Sequence, residues 1–153
     1  MMEDCRLHEL IKDDEGTRLQ AYDDKTGEVI RPGYTMVGAP TIGVGRNLLG
    51  RGISQLEAFV LFDRDVAECL MDLAILFRGF GEIAEPRKHA LADMRFTLGP
   101  RGFRKFRKMV AAVEVRDWPE VAAQVRDSVW ARKQAPGRAE RVAQMLASGQ
   151  YPT

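Results

Sequence analysis

The run from Gln55 to Phe77 restricts the possible folds more than any other part of the chain. Phe59, Phe62, Val66, Cys69 or Leu70, Leu73 and Phe77 recur every three or four residues, the spacing of one face of an α-helix. Ser54-Gln55-Leu56-Glu57 forms a capping-box signature, with Ser54 as the N-cap and Glu57 reaching back to it. The pattern predicts a helix from Gln55 to about Phe77, about 34 Å long at about 1.5 Å per residue. Gly79-Phe80-Gly81 ends it. A helix of this length, placed after a turn-rich stretch, is suited to joining two lobes.

That turn-rich stretch runs from Leu19 to Val44. Asp23-Asp24-Lys25-Thr26-Gly27, Arg31-Pro32-Gly33-Tyr34 and Val37-Gly38-Ala39-Pro40 are turn chemistry, and Val29-Ile30, Tyr34–Val37 and Thr41–Val44 are short β-prone pieces between them. They predict a hairpin or three-stranded sheet that is too small to be stable alone. Before it, Leu7, Leu10 and Ile11 mark an amphipathic helix from Cys5 to Asp14, ending near Glu15-Gly16. After the long helix, Pro86 opens a helix to Leu98, and Gly99-Pro100-Arg101-Gly102 breaks it. Helices are then expected from Phe103 to Val113, from Asp117-Trp118-Pro119-Glu120 to about Asp127, and from Ala135-Pro136 to Ser148-Gly149. The class is α+β. The expected layout is a β lobe at about 15–50, a linking helix at about 55–77, and a mainly helical lobe at about 84–150 that includes the N-terminal helix.

Composition removes several functions. The 153 residues are 45% hydrophobic and 29% charged with a net charge of +1, which gives no global attraction to nucleic acid or to a membrane surface. No apolar run approaches the roughly 18 residues that a bilayer span needs. The start, Met1-Met2-Glu3-Asp4-Cys5-Arg6, lacks the apolar core of a secretory signal, so the chain is expected to stay where it is made. Cys5, Cys69, His8 and His89 have no metal-ligand spacing, which predicts no metal and no cofactor and favours two reduced thiols over the alternative of a Cys5–Cys69 bridge. Arg101, Arg104, Lys105, Arg107 and Lys108 form the one basic cluster. Phe103, Phe106 and Val110 between them read as a core stripe that leaves the cations solvated.

Candidate chemistry lies between Glu15 and Gly45. Asp13 and Asp14 read as a solvated acidic turn. Glu15 differs, because the turn after it leads into an apolar-aromatic strand that would partly shield its carboxyl. Such shielding raises a carboxyl pKa and allows it to act as an acid near neutral pH. Asp24 alone is a turn residue and Thr41 alone a β-former. Their joint order, with glycine or proline beside each, is what marks all three as candidates.

Glu15-Gly16-x-Arg18-Leu19-x-x-Tyr22-x-Asp24, followed by Thr41-Ile42-Gly43-Val44-Gly45, resembles the catalytic stretch of the phage-type lysozymes, the endolysin muramidases of glycoside hydrolase family 24. That pattern is a Glu, eight residues, an Asp or Cys, then a Thr, and residues 16–23 are the eight between Glu15 and Asp24. The resemblance continues through Gly45-Arg46-Asn47-Leu48, Met94-Arg95-Phe96-Thr97-Leu98-Gly99, Ser128-Val129-Trp130 and Pro136-Gly137-Arg138-Ala139-Glu140-Arg141, and so covers nearly the whole chain. There are two departures. Residues 25–40 put sixteen positions between Asp24 and Thr41, where the short form has five, so roughly Glu28 to Ala39 lengthen a hairpin arm that would overhang the cleft. Asp93 also stands before Met94, where relatives commonly have Asn.

The resemblance implies hydrolysis of the β-1,4 bond between N-acetylmuramic acid and N-acetylglucosamine in bacterial peptidoglycan. Glu15 would be the general acid, Asp24 and Thr41 would hold the attacking water, and inversion is the expected outcome. Arg138 would be the partner of the catalytic acid, and Phe96 and Thr97 would contact substrate, with core burial the alternative for Phe96. Trp130 reads as packing. A holin partner, a stay in the host cytoplasm until release to the wall, and a monomeric state complete the expectation. Two other readings are a non-catalytic or virion-associated wall-binding protein with a lysozyme fold, and a lytic transglycosylase. The first would be marked by loss of Glu15, Asp24 or Thr41, and the second would not need the Asp24–Thr41 pair.

Overall fold

A computed structural model of the chain describes residues 4–152, with side chains from Arg6 onward. The Cys5 thiol lies outside the described side chains, and Cys69 is free and buried. The chain divides into two compact units, residues 1–58 and 59–153.

The first unit opens with α1 (Asp4–Glu15). Gly16 ends it in the left-handed conformation at φ 68°, where its N–H donates to the Lys12 carbonyl at 2.8 Å. Leu7, Leu10 and Ile11 take the predicted helical spacing, yet all three are exposed. A three-stranded antiparallel sheet follows, in the order β1 (Arg18–Asp23), β2 (Pro40–Gly43), β3 (Arg46–Asn47). Tyr22 faces Thr41 and Asp23 faces Pro40 across β1 and β2, and Thr41 faces Asn47 across β2 and β3. Val44-Gly45 turns the chain between the last two strands, with Gly45 at φ 63°.

The long arm between β1 and β2 differs from its predicted form. Val29 makes a single bridge to Tyr22, and the Ile30 N–H donates to the Ala21 carbonyl at 3.0 Å, so a short piece returns along β1 without becoming a strand. Tyr34–Val37 is not a strand either. The reason is physical: the N–H groups of Val37 and Gly38 are taken by the Asp23 carboxylate instead of a neighbouring strand.

The capping box is formed as predicted. The Ser54 N–H and hydroxyl both reach Glu57 Oε2 at 2.8 Å, and the Glu57 N–H donates to Ser54 Oγ at 3.3 Å. Arg46 adds an ion pair to Glu57 Oε1 at 2.6 Å, which ties β3 to the helix start. The helix, α2, runs Gln55–Leu76 and continues into the second unit. Cys69, Leu73 and Phe77 of the predicted stripe are buried, whereas Phe59 and Phe62 are exposed.

In the second unit, α3 (Glu85–Arg104) is interrupted at Gly99, whose φ of 68° and ψ of 169° cannot continue a helix, with Pro100 beginning the next turn. α4 begins at Arg107, not at Phe103, and runs to Glu114. Phe103 is buried, and Phe106 and Val110 pack at the edge of the core, but Lys105 and Phe106 lie outside helix. The apolar spacing therefore crosses a break in the backbone. α5 (Trp118–Arg126) is capped by Asp117, which accepts from the Glu120 N–H at 3.2 Å. A π-helical segment, Trp130–Gln134, leads to α6 (Pro136–Ser148), which closes on Gly149 in the left-handed conformation. Leu73, Phe77, Leu91, Met94, Val121 and Leu146 are among the side chains of the core these helices enclose. The fold is α+β: a small antiparallel sheet, a long helix and a mainly helical second unit.

Candidate active site

Asp24 and Thr41 are brought together by one residue of the arm. The Ala39 N–H donates to Asp24 Oδ1 at 2.7 Å, and the Ala39 carbonyl accepts from Thr41 Oγ1 at 3.2 Å. The Asp24 N–H also donates to that carbonyl, at 3.1 Å. Sixteen intervening residues thus do not separate the two candidates. Thr41 is 3% exposed on the central strand, while Asp24 is exposed in the turn just after β1. Its remaining lone pairs face solvent and can accept from water.

Asp23 stands beside this pair and was not singled out from the sequence, where it reads as a turn residue. Its side chain is fully buried. The carboxylate accepts N–H groups from Lys25 at 3.0 Å, Thr26 at 3.4 Å, Val37 at 2.7 Å and Gly38 at 3.0 Å, and the Tyr34 hydroxyl at 3.3 Å. Burial pushes the Asp23 carboxyl upward, but the N–H groups of Gly38, Val37, Lys25 and Thr26 outweigh it and hold the pKa at about 2. Gly38 has to be glycine for reasons of space, since a Cβ there would run into the carboxylate oxygens of both Asp24 and Asp23.

Glu15 is the last residue of α1 and lies against Gly45, where a Cβ would come within 2.9 Å of Glu15 Oε2. Glu15 is exposed, so the partial shielding expected of its carboxyl is not seen. All three candidates for the chemistry, Glu15, Asp24 and Thr41, belong to the first unit.

The second unit holds the others. Arg138, at the start of α6, pairs with Asp93 of α3, its Nε donating to Asp93 Oδ1 at 2.5 Å. The Asp93 carboxylate is therefore neutralised by a cation from a neighbouring helix. Arg95 turns elsewhere, to Asp72 and Glu68, both at 3.1 Å. Phe96 is 41% exposed, and its ring meets Phe62 edge-on at 5.9 Å between centroids. The alternative of core burial for Phe96 is therefore not realised. Thr97 is exposed and its hydroxyl donates to the Asp93 carbonyl at 2.9 Å. Phe96, Asp93 and Arg138 line a cavity of about 330 Å³ floored by Val66, Cys69 and Leu70. A second cavity, of about 540 Å³, is lined by Lys105, Phe106, Gln124, Ser128 and Trp130. Trp130 packs as predicted at 3% exposure, and its buried Nε1–H has no partner among the described residues.

No known family profile matches the chain. It is 31% identical over 160 residues to the pre-baseplate central spike protein Gp5 of Enterobacteria phage T4, spanning 94% of this chain but only 28% of that protein. It is 26% identical over 172 residues to the probable T4-type lysozyme 2 of Dictyostelium discoideum, and 24% over 175 residues to the probable T4-type lysozyme 1 of the same organism. Both alignments cover 94% of each chain. In its α+β fold and in these full-length alignments, this chain is similar to the T4-type lysozymes.

Proposed function

We propose that the chain hydrolyses the β-1,4 bond between N-acetylmuramic acid and N-acetylglucosamine in bacterial peptidoglycan. Glu15 protonates the leaving oxygen as general acid. Asp24 and Thr41 hold and polarise the attacking water, and the Asp24 carboxylate also faces the positive charge that develops on the sugar ring. The observation that carries this reading is the Ala39 bridge, whose N–H binds the Asp24 carboxylate and whose carbonyl binds the Thr41 hydroxyl, with Asp24 nine residues beyond Glu15. Residues 1–153 act together as one lysozyme domain. Arg138 as partner of the acid, and Phe96 and Thr97 as substrate contacts, are carried by the resemblance. The biological role is bacteriolytic, with a monomer released from the host cytoplasm by a holin. No helix among the described residues is long and apolar enough to cross a membrane.

The test is digestion of purified peptidoglycan followed by mass analysis of the products. Reducing N-acetylmuramic acid ends support hydrolysis, and anhydro ends would mean a transglycosylase. A second reading is favoured by the similarity to a phage spike protein: a virion-associated protein that acts on the wall during entry. Immunoblotting of purified virions separates the two, since an endolysin is absent from the particle.

A further inference from the structure

We propose that Asp23 is a positioning residue for the proposed hydrolysis, acting through the arm that connects Asp24 to Thr41. The inference rests on the reading of Asp24 and Thr41 as the pair that holds the attacking water. Ala39 joins that pair through its N–H and its carbonyl, but nothing in Ala39 itself fixes where it lies. The two residues before it are fixed. Val37 and Gly38 both give their N–H groups to the buried Asp23 carboxylate, Gly38 to both oxygens at 3.0 Å. One of these oxygens, Oδ1, also takes the N–H groups of Lys25 and Thr26, immediately after Asp24. One buried anion therefore clamps the chain on both sides of the Asp24–Ala39 contact. Hydrogen bonds to a charged acceptor are roughly twice as strong as neutral ones, and here they stand in for the ladder that an arm without strands lacks. An error of about 1 Å in the placement of a reacting group can cost about a hundred-fold in rate, so a clamp next to the water-holding pair acts on turnover more than on substrate affinity.

The test compares wild-type protein with Asp23→Asn, which keeps the side chain's size but turns one acceptor into a donor facing backbone N–H groups. Reducing-end release is measured at 10 °C on protein shown by its melting curve to be fully folded. The expected result is a kcat about 10- to 100-fold lower with KM changed less than about three-fold. A role in stability alone would leave kcat of the folded protein at the wild-type value, and that result overturns the proposal. If Asp23→Asn does not fold, amide exchange of the wild-type chain decides. The Val37, Gly38 and Ala39 N–H groups should exchange at least about ten-fold more slowly than free-peptide rates, and exchange at the free-peptide rate overturns the proposal. The two failures are separable. Inactive wild-type protein contradicts the hydrolase reading, a fully active Glu15→Gln variant contradicts the acid role of Glu15, and neither touches the exchange result.

Discussion

The Glu15 carboxyl rests on Gly45, two positions beyond Gly43 on the turn between β2 and β3, with space for a hydrogen but not for a methyl group. Gly45 is also left-handed at φ 63°, a conformation other residues adopt only at a cost. Gly45→Ala therefore does two separable things. It strains the turn by roughly 1 kcal/mol, and it displaces the proposed acid, because the flexible carboxylate moves more easily than the backbone. The expected outcome is a modest loss of stability together with a kcat about 10- to 100-fold lower. Steady-state kinetics beside a denaturant titration checks both, and wild-type kcat in the variant would remove Gly45 from the account.

Stereochemistry gives an independent prediction. A water held between Asp24 and Thr41 attacks from the face opposite the departing oxygen, so the product sugar should appear first as the α-anomer. An inverting pair of carboxyl groups is roughly 6.5–9.5 Å apart to leave room for that water, against roughly 5–5.5 Å for a retaining pair. Proton NMR of the anomeric signals in the first minutes of digestion reads the outcome. A β-anomer appearing first would replace the water-holding role of Asp24 with a nucleophilic one.

Acid should loosen the arm through Asp23. An unfolded aspartate titrates near its ordinary 3.8, whereas the folded Asp23 is held at about 2 by the N–H groups around it. The native carboxylate thus binds protons less readily than the unfolded one. Its stabilising contribution is complete above about pH 4 and is lost as the pH falls through about 2. Melting curves of wild-type protein and Asp23→Asn should therefore converge as the pH is lowered from 5 to 2. A gap that stays constant over this range would contradict the clamp.

In the second unit Arg95 is 7% exposed and serves three acceptors: Asp72, Glu68 and the Cys69 sulfur at 3.4 Å. Arg95→Met should cost about 1.5–3 kcal/mol, the range for hydrogen bonds to charged groups. Burial pushes the Cys69 thiol above its usual pKa, although Arg95 opposes it, so little thiolate is present at neutral pH. On a Cys5→Ser background, a thiol reagent should label the protein only as it unfolds. Rapid labelling of the native form would show that this region opens.

What could be read in the sequence was what is local. Ser54 and Glu57 are three positions apart, and the start of α2 follows from them alone. Gly99 broke α3 where a glycine followed by a proline should. The arm was not legible, because Asp23 finds Val37 and Gly38 fourteen and fifteen positions later, and no periodicity signals a side chain replacing a strand. Asp93 and Arg138, forty-five positions apart, were likewise invisible as a pair. The spacing of Phe103, Phe106 and Val110 misled for the opposite reason: a shared core can preserve apolar spacing across a backbone break. The candidates Glu15, Asp24 and Thr41 stand out by their order, but the Ala39 N–H and carbonyl that reach two of them are features of backbone geometry that side-chain identity does not record.

The most direct measurement is the initial rate of reducing-end release from purified peptidoglycan by wild-type protein and by Glu15→Gln, each first shown to be folded. Glutamine keeps the shape of the side chain and removes the proton it would deliver. A general acid contributes about 10²- to 10⁴-fold, so the account predicts a drop of at least about a hundred-fold with no change in melting temperature beyond a few degrees. Glu15→Gln releasing reducing ends at the wild-type rate would contradict it.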